Sequence, residues 1–270
     1  MTKQDRFYQP QAHGELPRVE SSIDIEVSVV IPCLNEAEAV TGVVREALTA
    51  IAELGIPGEV LVVDNASIDD SASRAERAGA RIVTESDPGY GHACRAGLSN
   101  ARGRFLVLGD GDGTYDFSAL GGFVDPLRNG SDVVMGSRLR GTIEPGAMPW
   151  LHRRIGNPLL TWMINQLFSS GVSDAHCGLR SIKKEKYDQL SLTSGGMEFA
   201  SEFVIEATVS GARIEEVPVN YRRRAGGEPK LRTFRDGWRH VRLMLIRAMG
   251  RRRTEETASA AGLASADAGA

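Results

Sequence analysis

Apolar and polar positions alternate along residues 27–108 in blocks that predict strands and helices in turn. Short runs rich in β-branched residues predict strands at 27–31, 59–63, 81–84 and 105–108. Apolar residues spaced three and four apart predict helices after Asn35, from 67 to 78 and from 90 to 101. Because short apolar strands alternate with helices, we expect an α/β fold with a mostly parallel sheet covered on both faces.

Two of these helices are preceded by sequences typical of a capping box. Asn35 with Glu38, and Ser67 with Asp70, have the spacing that satisfies free N–H groups at a helix start. Pro32 is expected to end the first strand, because proline has no N–H to donate to a neighbouring strand.

Polar side chains follow three of the predicted strands. Asn35-Glu36, Asp64-Asn65 and Asp110-Gly-Asp112 occupy these positions. Ligands of parallel sheets bind beyond the carboxyl ends of the strands, so we expect the three groups to lie near one another. Two carboxylates two residues apart repel each other unless a cation lies between them. The pair predicts a Mg²⁺ or Mn²⁺ site that takes further ligands from a substrate diphosphate.

Other interpretations of this stretch are weaker. Aspartates and glycines after a strand also form solvated turns. An EF-hand loop is excluded because Tyr115 and Gly121 stand where that loop needs glycine and glutamate. Gly89-Tyr-Gly91 lacks the third glycine of a dinucleotide motif and follows the third strand rather than the first, which argues against NAD.

The composition of the chain limits the classes of function. Its 270 residues are 41% hydrophobic and carry a net charge of −3, which fits a globular domain and gives no general case for nucleic acid. The three cysteines are far apart, which favours reduced thiols. No stretch has the length of a transmembrane helix. We expect residues 1–22 to be a flexible leader and 23–230 to form the main domain.

The second half adds candidate polar residues. Arg138 follows a strand predicted at 132–135, where it could also be an ordinary surface ion pair. Asp174 could act as a base or orient an acceptor, and either Glu198 or Glu202 could lie near the acceptor or simply favour a helix start. His176 is expected to be structural.

Two segments could lie on a membrane surface. The predicted helix at 151–168 contains Trp162 and begins with arginines, and it could equally be a core helix. Residues 231–253 predict a basic amphipathic helix, with Arg239, Arg242 and Arg247 directed to anionic headgroups. Nucleic acid is the rival partner for such charge, but no recognition motif accompanies it. Residues 254–270 are expected to be a disordered tail.

Several of these motifs, taken together, resemble family 2 glycosyltransferases. The resemblance rests on residues 30–36, 62–69, 110–112, 136–138, 174–180 and 222–230 and covers roughly residues 26–245. It is nearest to the polyprenyl-phosphate (dolichyl-phosphate) mannose and glucose synthases. It implies a GT-A type nucleotide-sugar-binding fold.

The resemblance also implies roles for individual residues. Asp110 and Asp112 would hold Mg²⁺ or Mn²⁺ and the diphosphate, and Asp112, Asp174, Arg138 and Lys230 would serve catalysis. The nucleotide-sugar site would comprise Pro32, Leu34, Glu36, Val62, Asp64, Asp110, Gly111, Asp112, Arg138, Arg224 and Lys230. Thr114 is a weak candidate for a third metal ligand.

The expected function is an inverting transfer of sugar from a GDP-mannose or UDP-glucose type of donor to a polyprenyl phosphate. The enzyme would lie at the cytoplasmic face of the plasma membrane, bound through its basic helix. A hydroxyl acceptor and a non-catalytic nucleotide-sugar-binding module remain alternatives. The sugar, the base, the lipid length and the oligomeric state are left open.

Overall fold

A computed structural model describes residues 24–227 and 230–267, with side chains as far as residue 251. The leader predicted at 1–22 lies outside the described residues.

The described chain is built around one mostly parallel sheet. Its seven strands lie in the order β3-β2-β1-β4-β6-β5-β7. β6 runs antiparallel to its neighbours β4 and β5, and the other pairs are parallel. The strands are β1 Val27–Cys33, β2 Gly58–Asp64, β3 Arg81–Thr84, β4 Phe105–Leu108, β5 Val133–Ser137, β6 Arg180–Lys183 and β7 Ile214–Pro218.

Helices cover both faces of the sheet, as predicted. Residues of α1, α2 and α4 pack on one face, and residues of α3, α5, α7 and α8 pack on the other. The fully apolar strand β4 is buried between the two layers. The helices are α1 Val40–Glu53, α2 Ser71–Arg77, α3 Tyr90–Asn100, α4 Leu120–Arg128, α5 Asn157–Phe168, α6 Lys184–Tyr187, α7 Phe199–Val209 and α8 Thr233–Asp267.

Both predicted capping boxes are wrong. Helix α1 begins at Val40, and Asn35 instead has a left-handed backbone with φ of 53°. Its side-chain oxygen accepts a hydrogen bond of 2.8 Å from the backbone N–H of Ile68, while the hydroxyl of Ser67 accepts one from the N–H of Asn35. These polar side chains therefore join the loops that follow β1 and β2 instead of capping helices.

Pro32 also does not end β1, which continues to Cys33. The pairing of β1 with β4 stops at Val30, whereas its pairing with β2 continues to Cys33. Beyond Val30 the strand has one neighbour instead of two. A proline is tolerated there because one side of the strand needs no donor.

Helix α8 is longer than expected. It continues into the segment predicted to be a disordered tail and ends at Asp267. That segment is rich in alanine, the residue with the highest intrinsic helix propensity. The low hydrophobicity of this segment favours disorder, whereas its high helix propensity favours a helix. None of the helices in the described part of the chain is long and apolar enough to cross a bilayer.

The packing of α3 on the sheet gives a test of the fold. A Cβ at Gly97 would overlap side-chain atoms of Val30 and Val63. We expect Gly97→Ala to lower the free energy of unfolding by about 1–3 kcal/mol, as overpacking does in dense cores. Gly42→Ala is the matched control, because Gly42 also lies in a helix and has no atom within 4 Å of the added carbon. The control should gain about 0.5–1 kcal/mol from helix propensity alone. Urea unfolding of both variants measures the difference, and equal midpoints would contradict this packing.

Candidate active site

The aspartates after β4 lie at the carboxyl edge of the sheet, beside the loop that leaves β1. β1 and β4 are parallel neighbours, so both chains leave the sheet on the same side. A Cβ at Gly111, between the two aspartates, would lie 3.2 Å from the carbonyl oxygen of Pro32. The two turns therefore approach closely at residue 111, where a Cβ would fit only with a small shift of its neighbours.

Asp110 lies in an environment that disfavours its charge. Burial and the neighbouring negative charge of Asp112 raise the pKa of Asp110 to about 6. The Tyr90 hydroxyl donates a hydrogen bond of 3.1 Å to Oδ1 of Asp110, and the positive charges of Arg180 and Arg138 oppose the rise in pKa. The two carboxylates thus repel each other as the sequence predicts.

Asp112 is held by its own turn and by an arginine. Its Oδ1 accepts hydrogen bonds from the N–H and the hydroxyl of Thr114, at 2.9 and 2.6 Å. Its Oδ2 lies 2.8 Å from a guanidinium nitrogen of Arg224. Thr114, the weak candidate for a third metal ligand, therefore uses its hydroxyl to orient Asp112.

Arg224 also reaches Glu36, so one guanidinium joins the ends of β1 and β4. Its other terminal nitrogen lies 3.0 Å from Oε1 of Glu36. Burial raises the pKa of Glu36, and the charges of Arg224 and Lys230 oppose that rise. Oε2 of Glu36 is buried without a hydrogen-bond partner among the described residues. The structure thus brings together Glu36, Asp112 and Arg224 and places the charge of Lys230 near them.

The other residues predicted for the nucleotide-sugar site have mixed outcomes. Pro32 and Leu34 are partly exposed at the end of β1, and Asp64, partly exposed, is the last residue of β2. Val62 is different, since it is fully buried and packs in the core on the α1 face of the sheet. Its side chain offers no exposed surface, because the strand has an apolar layer on each face, and its place in the nucleotide-sugar site stays a prediction.

Arg138 and Asp174 form a buried ion pair. The Nε and one terminal nitrogen of Arg138 contact the two carboxylate oxygens at 2.7 and 2.8 Å, and the Arg138 N–H donates at 3.1 Å. Burial alone would raise the pKa of Asp174, but the charge and hydrogen bonds of Arg138 outweigh it and hold that pKa below its ordinary value. Asp174 is therefore paired with Arg138 rather than free, and its catalytic assignment stays a prediction. Asp174 orients Arg138.

Glu198, just before α7, and Glu202 within it are likewise engaged within the protein. Glu202 is fully buried, and its carboxylate accepts hydrogen bonds from the N–H groups of Thr193 and Ser194 and from Arg247. Glu198 lies 3.1 Å from a guanidinium nitrogen of Arg239. Their interpretation as helix-start residues with structural contacts agrees with the geometry better than a role as a free base.

Sequence reasoning missed one charged residue beneath the site. Arg180 is 1% exposed, and its terminal nitrogens donate to the backbone oxygens of Cys177 and Ala200. Its guanidinium carbon lies 5.2 Å from the ring centre of Phe203. Arg180 ends the 174–180 motif on which the family resemblance partly rests, but the sequence does not predict β6, the strand that Arg180 begins.

Comparison with known proteins agrees with this arrangement. The family model described as glycosyl transferase family 2 matches residues 28–191. The low-salt glycan biosynthesis hexosyltransferase Agl6 of Haloferax volcanii is 41% identical over 232 residues. The match covers 86% of this chain and 56% of Agl6, so the chain spans little more than half of that relative. A dolichyl-phosphate hexose transferase of the same organism is 32% identical, with 78% of this chain and 89% of the relative covered.

Solved structures share the fold at lower identity. Glucosyl-3-phosphoglycerate synthase from Mycobacterium tuberculosis has a TM-score of 0.63 and 23% identity, with 84% of this chain and 80% of that chain covered. Mannosyl-3-phosphoglycerate synthase from Rubrobacter xylanophilus has a TM-score of 0.63 and 21% identity, with 86% and 75% covered. The sheet order, the family model and the identity to these relatives lead to one conclusion. The chain belongs to glycosyl transferase family 2 and has a GT-A type fold.

Proposed function

We propose that the chain transfers a hexose from a nucleotide diphosphate sugar to a polyprenyl phosphate at a membrane surface. The observation that carries the proposal is the cluster of Asp110, Asp112, Glu36 and Arg224 at the carboxyl edge of β1 and β4 in a family 2 chain. Two relatives support the acceptor class by name. They are the dolichyl-phosphate hexose transferase and an undecaprenyl-phosphate 4-deoxy-4-formamido-L-arabinose transferase of Klebsiella pneumoniae, the latter 28% identical.

The donor would lie along the carboxyl ends of β1, β2 and β4. Pro32, Leu34 and Asp64 would contact the nucleoside from the ends of β1 and β2. Arg224, Lys230 and Arg138 would offset the negative charge of the diphosphate, since guanidinium groups suit phosphate oxygens.

The residues present fit a divalent metal ion. Asp110 and Asp112 offer carboxylate oxygens, and burial together with the charge of Asp112 raises the pKa of Asp110, which a bound cation would offset. Mg²⁺ and Mn²⁺ favour such oxygen ligands. A glucosyl-3-phosphoglycerate synthase of the same fold has been solved with Mn²⁺ and UDP-glucose. Asp110 and Asp112 would hold the ion, which when bound would stabilise charge on the departing diphosphate.

The engaged carboxylates favour a phosphate acceptor over a hydroxyl. A hydroxyl must lose a proton as it attacks, and this step requires a nearby base. Asp174 is paired with Arg138, and Glu202 is paired with Arg247 and two backbone N–H groups. A phosphate oxygen is already anionic at neutral pH and attacks without such a base. The protein's part is then to orient the acceptor and to offset charge.

The membrane surface would be formed by α5 and α8, which pack against each other. His152, just before α5, lies 2.9 Å through its Nε2 from the Thr233 hydroxyl at the start of α8. Each helix exposes a stripe of apolar side chains, and such exposed stripes mark interaction surfaces. The stripes are Leu151, Ile155, Leu159 and Trp162 along α5 and the turn before it, and Phe234, Trp238, Leu245 and Met249 along α8.

The charge on this surface differs from that expected from the sequence. Arg239 pairs with Glu198, and Arg247 pairs with Glu202 and Glu206. Arg242 is exposed and lies within the apolar stripe of α8. Arg153 and Arg154 are exposed at the start of the other stripe. These three arginines, rather than Arg239 and Arg247, would contact anionic headgroups.

The repulsion between the aspartates predicts a pH-dependent stability in metal-free protein. The pKa of Asp110 rises from 3.8 to about 6 on folding, so the folded protein loses stability as the pH rises through this window. Asp110→Asn cannot ionise and should therefore gain stability relative to wild type between about pH 4 and pH 6, with a constant gain above. Thermal unfolding in EDTA across this range measures the gain, with the exposed Asp188→Asn as control. Added Mn²⁺ should stabilise wild type more than Asp110→Asn, and equal responses would argue against the metal site.

Loss of the second aspartate should affect turnover more than folding. We expect Asp112→Asn to lower transfer by about 100-fold or more, because loss of a carboxylate ligand would weaken the hold on the metal ion whose charge stabilises the departing diphosphate. The assay supplies GDP- and UDP-linked hexoses with polyprenyl phosphate and measures sugar in the lipid extract. Asp125→Asn on α4 is the matched control with unchanged transfer. Normal turnover of Asp112→Asn with both Mg²⁺ and Mn²⁺ present would refute the assignment. Sugar on a soluble product, or donor binding without turnover, would favour a hydroxyl acceptor or a non-catalytic module.

The proposed membrane surface can be tested by sedimentation with vesicles. Arg242→Gln should weaken binding to anionic vesicles roughly fivefold at low salt, since a basic residue near the surface contributes about 1 kcal/mol. Phe234→Ser with Trp238→Ser should weaken it further by removing apolar area. Arg102→Gln and Val209→Ser are exposed controls outside both stripes. High salt should reduce the effect of Arg242→Gln on vesicle binding, because it screens charge, and should leave the effect of the Phe234→Ser, Trp238→Ser double variant unchanged. Equal sedimentation of all variants would exclude this surface.

A further inference from the structure

Helix α8 has a second, inward face that is linked to the active site by hydrogen bonds. His240 on this face is 5% exposed, and its Nδ1 lies 2.7 Å from the hydroxyl of Ser201, which is fully buried on α7. The same hydroxyl lies 2.9 Å from Nε2 of His176, in the segment before β6. The two imidazole rings are 4.8 Å apart and nearly perpendicular. Ser201 thus bridges two histidines from distant parts of the chain.

The bridge continues to Arg138 through one further residue. Asp174, whose carboxylate faces Arg138, lies two residues before His176 in the same segment of the chain. Both oxygens of that carboxylate bind Arg138. The path from α8 to the end of β5 therefore runs through His240, Ser201, His176 and Asp174. The contacts of Ser201 with His240 and His176, and of Arg138 with Asp174, are each between 2.7 and 2.9 Å.

The bridge limits how the two rings can share the hydroxyl. A serine hydroxyl donates one hydrogen and can accept two, so at most one imidazole nitrogen accepts from it and at least one donates to its oxygen. Nδ1 of His176 is buried without a hydrogen-bond partner among the described residues. Burial lowers the pKa of His240 to about 4 and that of His176 well below its ordinary value, which keeps both neutral near pH 7. Asp236 opposes the shift of His240, while Arg239 and Arg180 add to it.

A polar chain in this place is not the most stable choice for a core. It lies beside the apolar cluster that includes Phe203, Val204 and Met244, where apolar groups of the same shape would avoid the loss of hydration. Nothing in the packing of α8 alone requires a hydrogen bond from residue 240. A connected row of hydrogen bonds does, however, fix the orientation of the groups at its end.

We propose that His240 and Ser201 are positioning residues for sugar transfer, acting through His176 and Asp174 on the orientation of Arg138. This inference rests on the proposed function, since it takes Arg138 to act on the phosphate groups of the reactants. It gives α8 a role beyond contact with lipid. The outward face of the helix would bind the membrane, while its inward face holds an arginine of the active site.

A second contact shows that α8 supports the opposite side of the site as well. Arg247 holds Glu202, and Glu202 holds the N–H of Ser194. The next carbonyl, that of Gly195, accepts hydrogen bonds from the first N–H groups of α3. α3 begins with Tyr90, whose hydroxyl contacts Asp110. Loss of α8 contacts would therefore disturb both Arg138 and Asp110.

The test separates positioning from simple stabilisation. His240→Phe keeps a ring beside His176 but cannot bond to Ser201, while His240→Asn restores a polar atom at the position of Nδ1. We expect His240→Phe to lower kcat by about tenfold, as small misplacements do. KM for the donor should stay within about twofold, and His240→Asn should recover most of the turnover. Ser201→Ala should behave like His240→Phe.

Combination with Arg138→Lys shows whether the effect acts through Arg138. The lysine keeps the buried charge but cannot bind the carboxylate with two nitrogens. If His240 acts through Arg138, His240→Phe will lower kcat of the Arg138→Lys protein much less than it lowers kcat of wild type. Equal losses of kcat in both backgrounds, or no recovery by His240→Asn, would overturn the proposal.

Urea unfolding of wild type, His240→Phe, Arg138→Lys and the double variant distinguishes failure of this inference from failure of the proposed function. Without substrate, the double variant should shift the unfolding midpoint by less than the sum of the shifts that the two single substitutions cause. Absence of any sugar transfer by wild type would refute the proposed function, while a non-additive midpoint would still support the path to Arg138. Additive midpoints would refute that path even if lipid transfer is observed.

Discussion

The balance of charge at the carboxyl edge of the sheet is the constraint on which the site depends. Four carboxylates, those of Glu36, Asp110, Asp112 and Asp174, lie close to the arginines at 138, 180 and 224. Charges with little access to water interact strongly, so each must be paired or its pKa shifts. Asp174 is fully paired, whereas Asp110 is not. The protein thus leaves negative charge uncompensated at Asp110, where a metal ion would bind together with a diphosphate.

This arrangement explains why much of the fold and part of the site could be predicted from the sequence. Runs such as Phe105–Leu108 are apolar at each position, and such runs indicate strands buried on both faces. Once the strands are parallel, their carboxyl ends meet at one edge, and polar residues that follow them are neighbours. The predicted proximity of Glu36 to Asp112 follows from strand direction alone. It is confirmed by the guanidinium that contacts both.

The errors have a common physical origin in contacts between distant parts of the chain. Asn35 has the local features of a helix cap, but its oxygen bonds to Ile68 in the next loop. Asp174 looked like a free acid because Arg138 lies thirty-six positions away. Arg239 and Arg247 looked like surface charges because their glutamate partners lie on α7. Local patterns report local preferences, and they contain no information about partners brought close by the sheet.

The contact of Arg224 with both Glu36 and Asp112 has a consequence for the order of events at the site. The guanidinium is the internal counterion of Asp112 and contacts a carboxylate oxygen that a bound metal ion would share. The backbone beside it is held separately, because the N–H groups of Arg222 and Ala225 donate to the carbonyls of Thr114 and Asp112. Exchange of the guanidinium for a metal ion would then require rotation of one side chain and would leave residues 222–225 in place. The entropy of ordering those residues would be met during folding rather than during each catalytic cycle.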